Sequence, residues 1–465
     1  MIDIERIKKL QSMDFSDPET QKEVFNIIET LCGIILELRA ENQKLKDEIN
    51  YLKGEKGKPK FKPTNKSPKK QEEKAKMQPI EKKEWEKGTK IDKIKIDRVE
   101  IIKLSKEDLP GDAVFKGHER KVVQNIIFKT DNVEYLLEKY YSPSLKKTYT
   151  AEISENLKGT EYGPETKALI STLYYENRVT ENKIAAFLNT NGLLVSEGTV
   201  SNILIKEESE ALAKIKNEIF QAGITSSIYQ QIDDTGMKVS DKNGYATIVC
   251  NENYSAFFIN LSKSRETIKT FLTALLASMF IVLVGDDAPQ FKEIAKRYAL
   301  CWVHEERHYK KLSPVLDCHK EELARVRGEI WDYYKKLAAY KQKPTKEKKR
   351  ELAKGFDALF GQETSYEDLN ARLAMTKEKK SELLTVLDYP EVPLHNNLSE
   401  NGVREMVIKR KISGGVETDE GVKAWENNMS ILATCKKQGV SFYDFMKGVF
   451  SKDLTVNLAQ LILQR

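Results

Sequence analysis

Two acidic dipeptides close apolar segments of the chain, in Ile232-Asp233-Asp234-Thr235 and in Val284-Gly285-Asp286-Asp287-Ala288-Pro289. A third carboxylate, Glu400, follows far downstream in His395-Asn396-Asn397-Leu398-Ser399-Glu400. Carboxylates gathered from three distant points suit hard divalent cations, which take oxygen ligands, keep several waters and let substrate phosphates complete an octahedron. Two such ions roughly 3.5–4 Å apart can clamp the attacking and leaving oxygens of an in-line displacement. Arg404, Lys409, Arg410 and Lys411 continue the Glu400 segment, so a nucleic-acid phosphate is the expected partner of that chemistry.

Asp-Asp pairs also serve as turns and helix caps, and the second pair divides between the two roles. Asp286 ends the apolar run Ile281-Val282-Leu283-Val284, whereas Asp287 precedes Ala288-Pro289, where it reads as an N-cap with proline in the first turn. Asp286 is therefore the expected ligand. At the first pair, alternation does not choose between Asp233 and Asp234. Arg404 falls one turn beyond Glu400 and reads either as its intrahelical partner or as a phosphate contact. The 409–411 cluster reads either as C-terminal helix cations or as phosphate ligands, a task arginine performs bidentately.

Several elements must position these groups. The chain has 465 residues, 40% of them apolar, and a formal charge of +6. That length predicts two to four domains. No apolar run reaches the ~20 residues of a membrane span, the first residues lack a signal-peptide profile, and five scattered cysteines form no disulfide framework. A cytoplasmic protein, nucleoid-associated, is expected.

Val24, Leu31, Leu38, Leu45 and Leu52 recur every seven residues, and Ile28, Ile35, Asn42 and Ile49 fill the other seam. Isoleucine at one seam position, leucine at the other and a single Asn favour a parallel two-stranded coiled coil. An amphipathic helix packed on the body is the plainer alternative. Residues 54–90 are lysine- and proline-rich and read as a flexible basic linker. Lys58, Lys60 and Lys62 there are candidate phosphate contacts, binding without sequence choice.

From Lys93 to Ile153 a period near two predicts a small β-rich module, with strands at Ile94–Ile96, Val122–Phe128 and Val133–Tyr141. Residues 165–206 predict helix, helix, a Gly-containing turn at 189–192, and a third helix from Ser196 or Glu197. This is a helix-turn-helix pattern with Thr199, Ser201 and Asn202 as candidate base contacts. Beyond Ser226 the pattern becomes α/β. Three antiparallel strands (from Ile228, Ala246 and Tyr254) precede a helix from Arg265 to Met279 and a strand from Phe280 to Val284. A helix from Ala288 to Lys296 and a strand from Tyr298 to Val303 follow, an order that matches a ribonuclease-H-like domain. Residues 305–388 are charged and helical.

These motifs together resemble the transposases of insertion sequence 66 and its relatives. The resemblance covers the leucine-rich helix and basic linker, the segment around Tyr162-Gly163-Pro164, and most of 225–450. The family's Asp-Glu-Thr motif is matched by Asp233-Asp234-Thr235, which implies that Asp233 is the first catalytic aspartate. An Asp followed five residues on by an aromatic is matched by Asp286 and Phe291. Cys-Trp-x-His-x-x-Arg is matched by Cys301, Trp302, His304 and Arg307. Asn-Asn-x-x-Glu with a downstream Arg and Arg-Lys is matched by Asn396, Asn397, Glu400, Arg404, Arg410 and Lys411. His395 stands where the family usually has Asp, and Asn401 where it usually has Arg. No cysteine occurs in 33–249, so the β-rich module is expected in place of the family's zinc module. Cys301 and His304 with Cys318 and His319 form only a loosely spaced zinc set. Cys301 reads instead as a buried strand residue, with His304 and Arg307 beside the scissile phosphate.

The resulting expectation is an α/β protein with a ribonuclease-H-like catalytic domain (223–304 and 391–450) interrupted by an all-helical insertion (305–390). It is preceded by an N-terminal helix and parallel coiled coil (1–53), a linker (54–92), a β-rich module (93–160) and a helix-turn-helix region (161–222). A C-terminal helix (451–465) closes the chain. The resemblance implies a DDE transposase acting on element ends and target DNA. Asp233, Asp286 and Glu400 would be both catalytic residues and ligands of two Mg²⁺ or Mn²⁺ ions. A homodimer or higher oligomer, with accessory proteins of the same element as further partners, is expected. Rival readings are a DNA-binding protein descended from a transposase but impaired in catalysis, and a structure-specific nuclease.

Overall fold

The computed structural model describes residues 17–52, 94–102, 117–154, 158–272 and 282–465. The linker lysines Lys58, Lys60 and Lys62 lie outside the described residues, as does the expected start of the strand at Phe280. Two compact units are present, one of residues 1–40 with 130–465 and one of residues 41–129.

Helix α1 (Pro18–Leu52) belongs to the first unit as far as Ala40. One of its faces is docked. Asn26 Nδ2 donates to Ser365 O at 2.8 Å, and its Oδ1 accepts Glu367 N–H at 2.8 Å. The buried Glu29 carboxylate accepts the N–H groups of Val315 and Leu316 and meets His319 Nδ1 at 3.1 Å. The expected seam residues Ile28, Ile35, Leu38 and Leu45 stay exposed. The helix thus packs on the body with one face and leaves most of its heptad stripe to solvent.

In the second unit the described chain at 94–102 and 117–129 carries no strand. The expected strands at 94–96 and 122–128 are therefore corrected to chain without strand pairing, because alternating apolar residues form a strand only where a neighbour accepts their backbone groups. Ile96, Val123, Ile126 and Ile127 are exposed there. Of the third expected strand only β1 (Lys139–Ser142) forms, in the first unit, paired antiparallel with β2 (Lys147–Thr150).

Helices α2 (Pro164–Ser171, continued by a wide turn through Glu176), α3 (Glu181–Thr190), α4 (Glu197–Ile205) and α5 (Ser209–Thr225) follow. Gly192, with φ +86°, supplies the left-handed residue that ends α3. Ser196 caps α4 by accepting Thr199 N–H at 3.1 Å.

The central sheet runs β5 (Ser255–Asn260), β4 (Lys242–Cys250), β3 (Tyr229–Val239), β6 (Val282–Gly285), β7 (Arg297–Leu300). The first three pair antiparallel, and β3, β6 and β7 pair parallel. All of β6 is buried, as a central parallel strand requires. Ser240 and Asp241, with φ +44° and +62°, form the two-residue turn between β3 and β4. Helix α6 (Arg265–Phe271) precedes β6. The expected helix at 288–296 reduces to one turn at Pro289–Phe291, since Glu293 adopts φ +62° and breaks the spiral. The expected strand to Val303 ends at Leu300, because α7 (Trp302–Lys310) begins there.

Helices α8 (Asp317–Gln342) and α9 (Lys346–Phe360) pack through Tyr333, Phe356 and Phe360 around Trp302. Helices α10 (Glu367–Glu378) and α11 (Lys380–Leu383) follow, and Trp302 Nε1 donates to Leu383 O at 2.9 Å. Then come α12 (Asn397–Ser413), α13 (Asp419–Gln438), α14 (Phe442–Ser451) and α15 (Leu458–Leu463). Helix α13 lies along the outer strand β5. Its Thr434, Ser430 and Glu426 side chains accept the N–H groups of Ser255 (3.2 Å), Phe257 (2.9 Å) and Ile259 (2.5 Å). Among the described residues no helix is long and apolar enough to cross a membrane.

Candidate active site

Asp233 lies in β3, where burial turns from complete at Ile232 to partial. Gln231 pairs with Val284 across the parallel β3–β6 ladder, so continuing that register puts Asp233 level with Asp286, just past the end of β6. Strand alternation then gives both the same face. Burial and the negative charges of Asp286, Asp234 and Glu400 push the Asp233 carboxyl up to about 7, against the Asp234 N–H that it accepts at 2.8 Å. Burial likewise raises Asp286, opposed by the Ala288 N–H at 3.2 Å and by nearby His304. Three carboxyl groups therefore share one field, from β3, the end of β6 and α12.

The first turn of α12 carries Glu400, and it is tied to β3. Gln231 Oε1 accepts Leu398 N–H (3.0 Å) and Ser399 N–H (3.3 Å), and Gln231 Nε2 donates to His395 O (3.3 Å). Asn396 Nδ2 donates to Ile232 O at 2.9 Å. One turn on, a Cβ at Gly402 would overlap the Ile248 side chain of β4, so the helix backbone sits directly on the sheet. Asn396 thus holds the fold together, whereas Asn397 is exposed at the helix start.

Helix α7 delivers the remaining groups. Cys301 N–H bonds Gly285 O (2.9 Å) and Trp302 N–H bonds Leu394 O (3.0 Å), fixing its start between the ends of β6 and the approach to α12. Arg307 Nη2 lies 3.4 Å from Glu400 Oε2 and its Nη1 2.9 Å from His304 Nε2, which in turn stands 3.6 Å from Glu400 Oε1. Burial lowers the His304 pKa, opposed by Glu400 and reinforced by Arg307.

The structure brings together Asp233, Asp286, Glu400, His304 and Arg307. It corrects the assignment of Asp287 as a cap: the Ala288 N–H goes to Asp286, and Asp287 is paired with Lys292 and with Lys379 at the end of α10. The electrostatic demand of those two lysines outweighs a cap. Arg404 is exposed and is not the partner of Glu400, a place taken by His304 and Arg307. Arg410 and Lys411 sit roughly 15 Å farther along the helix axis. Their neighbour Lys409 is no phosphate ligand. It is buried, donates to Tyr174 O at 2.8 Å and lies 3.1 Å from the Tyr174 ring centroid. Thr199, Ser201 and Asn202 lie on α4, away from this cluster in the sequence and on a different element. Asn202 is exposed, and Ser201 hydrogen-bonds the Glu181 side chain. His319, of the loose zinc set, is claimed by Glu29 and stacked on Tyr366, while Cys318 is exposed.

Gln231 and Gln290 were not singled out by sequence reading, yet both serve the site. Gln290 Nε2 donates to Asp234 Oδ2 at 2.7 Å, which leaves Asp233 as the freer member of its pair. A buried Gln two residues before an Asp on the same strand face is the signal that could have identified Gln231.

An uncharacterized protein of Sinorhizobium fredii, y4jO, is 41% identical over 165 residues, which are 36% of this chain and 51% of that protein. The chain thus spans about half the length of the curated relative it matches. Residues 159–424, which hold α2 to α12 and every side chain of the site just described, match the family described as Transposase IS66 family, and the chain belongs to that family.

Proposed function

We propose that this chain is a DNA transposase of the DDE type, with Asp233, Asp286 and Glu400 as its catalytic carboxylates. The observation that carries the reading is the convergence of those three groups, with Asp233 level with Asp286 across the β3–β6 register. Burial first, and then the charges of Asp286, Asp234 and Glu400, push the Asp233 carboxyl up to about 7. The sheet order, three antiparallel strands followed by two parallel ones, supports a ribonuclease-H-like core. Exposed Ile28, Ile35 and Leu45 on α1 support dimerisation through a coiled coil.

The residues present fit divalent cations. Glu400 Oε1 is buried without a hydrogen-bond partner, and a cation among the three carboxylates would offset both the burial and the repulsion that raise Asp233. Two ions of the Mg²⁺ or Mn²⁺ class held by Asp233, Asp286 and Glu400 would supply an activated nucleophile and stabilise the leaving oxygen. The reaction is hydrolysis at the element's end, then attack of the freed 3′-hydroxyl on target DNA. Gln231 and Gly402 hold Glu400 at the level of Asp233. His304 and Arg307 face the scissile phosphate, with Arg307 able to bind it bidentately. Asn397, Arg404, Arg410 and Lys411 extend the contact along the backbone. Thr199, Ser201 and Asn202 on the second helix of a helix-turn-helix read the terminal repeats, and Lys58, Lys60 and Lys62 add salt-sensitive affinity.

The test is cleavage and joining of DNA carrying both flanks of the gene. Asp233→Ala, Asp286→Ala and Glu400→Ala should each abolish cleavage yet leave binding of the same DNA within a few-fold. Cleavage that survives any one of them overturns the catalytic assignment. Loss of joining alone would point to a nuclease.

A further inference from the structure

Beside the three carboxylates stands a second set of donors with a different chemical character. One ligand atom each from Cys301, His304 and Glu400 lies within 4.8 Å of the others. The His304 Nε2 to Glu400 Oε1 distance is 3.6 Å. Glu400 Oε1 is buried without a hydrogen-bond partner, and His304 Nε2, the ring nitrogen that faces it, is held at 2.9 Å by Arg307 Nη1, which must leave for an ion to enter. Cys301 is a buried free thiol at the N-terminus of α7. Burial pushes its pKa up, opposed by the backbone N–H groups of His304, Asn396 and Val303 that point at its sulfur. Amides in that position stabilise a thiolate.

We propose that Cys301, His304 and Glu400 form a site for a thiophilic divalent cation, zinc above all, and that filling it withdraws Glu400 from the carboxylate set. The proposal rests on the reading of Glu400 as a catalytic carboxylate.

Zinc takes sulfur at about 2.3 Å and imidazole nitrogen or carboxylate oxygen at about 2.0–2.2 Å, so a tetrahedral site separates its ligand atoms by roughly 3.3–3.7 Å. The present spread needs only a small closure, and the His304–Glu400 edge already has that length. Three protein ligands leave a fourth position for water. Magnesium, which demands oxygen, gains nothing from the thiol, whereas zinc does. Binding converts the Cys301 thiol to a thiolate and releases its proton to solvent. Arg307 is the resident cation beside Glu400, and with about half of its side chain exposed it can swing into solvent as the ion enters. One carboxylate shared by a hard and a soft ligand set makes the enzyme selective between metals, with zinc as an inhibitor.

Cobalt(II) is the probe, added to the full-length protein, with zinc as competitor. One equivalent should produce a thiolate-to-cobalt charge-transfer band and the intense visible bands of tetrahedral cobalt, and both should vanish as zinc is added. Cys301→Ser should abolish the charge-transfer band and weaken zinc binding at least about tenfold. His304→Ala, at a side chain with 25% of its surface exposed, should also alter the visible bands. Absence of a charge-transfer band in the wild-type protein overturns the proposal, as does a band that survives Cys301→Ser. Manganese binding separates the two readings. If Asp233→Asn abolishes manganese binding and no thiolate band forms, this site alone is refuted. If the thiolate band forms and manganese binding ignores Asp233→Asn, the carboxylate reading fails and this site stands.

Discussion

Arg307 Nη2 lies 3.4 Å from Glu400 Oε2, so the carboxylate of α12 is held by a guanidinium from α7 that is itself half exposed. A cation bound by Glu400 competes with that pair. Arg307→Ala should therefore tighten Mn²⁺ binding, by the roughly 1.5- to 5-fold that an exposed ion pair of about 0.2–1 kcal/mol allows. The same variant should lose most DNA cleavage. Titration followed by electron paramagnetic resonance reads the first effect, and weaker manganese binding would contradict the competition.

Lys409 supplies a pH dependence remote from the carboxylates. Burial lowers its pKa to about 7, opposed by Glu181 and reinforced by Arg178. Between pH 7 and the ordinary lysine value near 10.5, the unfolded chain then binds the proton that the folded protein has lost. Stability contributed by this group rises with pH across that window, by up to about 1.4 kcal/mol per pH unit. Lys409→Met should flatten the slope. Urea midpoints at pH 7, 8 and 9 give the comparison, and equal slopes in both proteins would remove Lys409 as the cause.

Gly402 and Ile248 set the distance between α12 and the sheet. Gly402→Ala forces overlap and should cost about 1–3 kcal/mol, the range for an overpacked core. Cleavage should fall as well, since Glu400 sits half a turn away on the same helix. Ile248→Ala in the same protein should restore part of both, giving a coupling energy that independent sites would lack.

The two faces of α1 should separate in solution. Glu29→Ala strips the acceptor from the Val315 and Leu316 N–H groups and from His319, and should cost about 1.5–3 kcal/mol of stability. Ile35→Glu on the exposed seam should leave the denaturation midpoint nearly unchanged and shift sedimentation towards monomer. If Ile35→Glu lowers stability as much as Glu29→Ala, the seam is packed on the body and does not join copies.

The candidate carboxylates were easier to single out in the sequence than the elements around them. Asp286 was readable because a fully apolar run ending in Gly-Asp is what a buried parallel strand looks like, and Glu400 because its Asn pair and cations surround it. The share between Asp286 and Asp287 was half readable. The ligand role rested on strand end and helix start, but of the two cations that occupy Asp287 only Lys292 is near in sequence. Lys379 comes from the insertion, and no local pattern encodes a contact across that separation. Lys409 misled for the same reason: a run of three cations reads as surface, and Tyr174, Tyr175 and Trp425 from two other helices make it core. In the expected module at 93–160, a period of two marks the capacity to pair but names no neighbour, and most of that capacity is unused in the described residues.

The ladder between α13 and β5 has a metrical consequence. Positions 426, 430 and 434 advance about 6 Å per step along the helix, and Ile259, Phe257 and Ser255 about 6.6–6.8 Å per step along the strand. Two rulers so nearly equal stay in step for three marks, and Gln438 adds a fourth by donating to Asn253 O at 2.6 Å. Beyond the other end, position 422 is a valine with nothing to offer. The outer border of the sheet is thus sealed over the length for which the rulers agree, and a strand from another copy or another protein finds no open row of amides there. A further strand therefore cannot lengthen this sheet at β5.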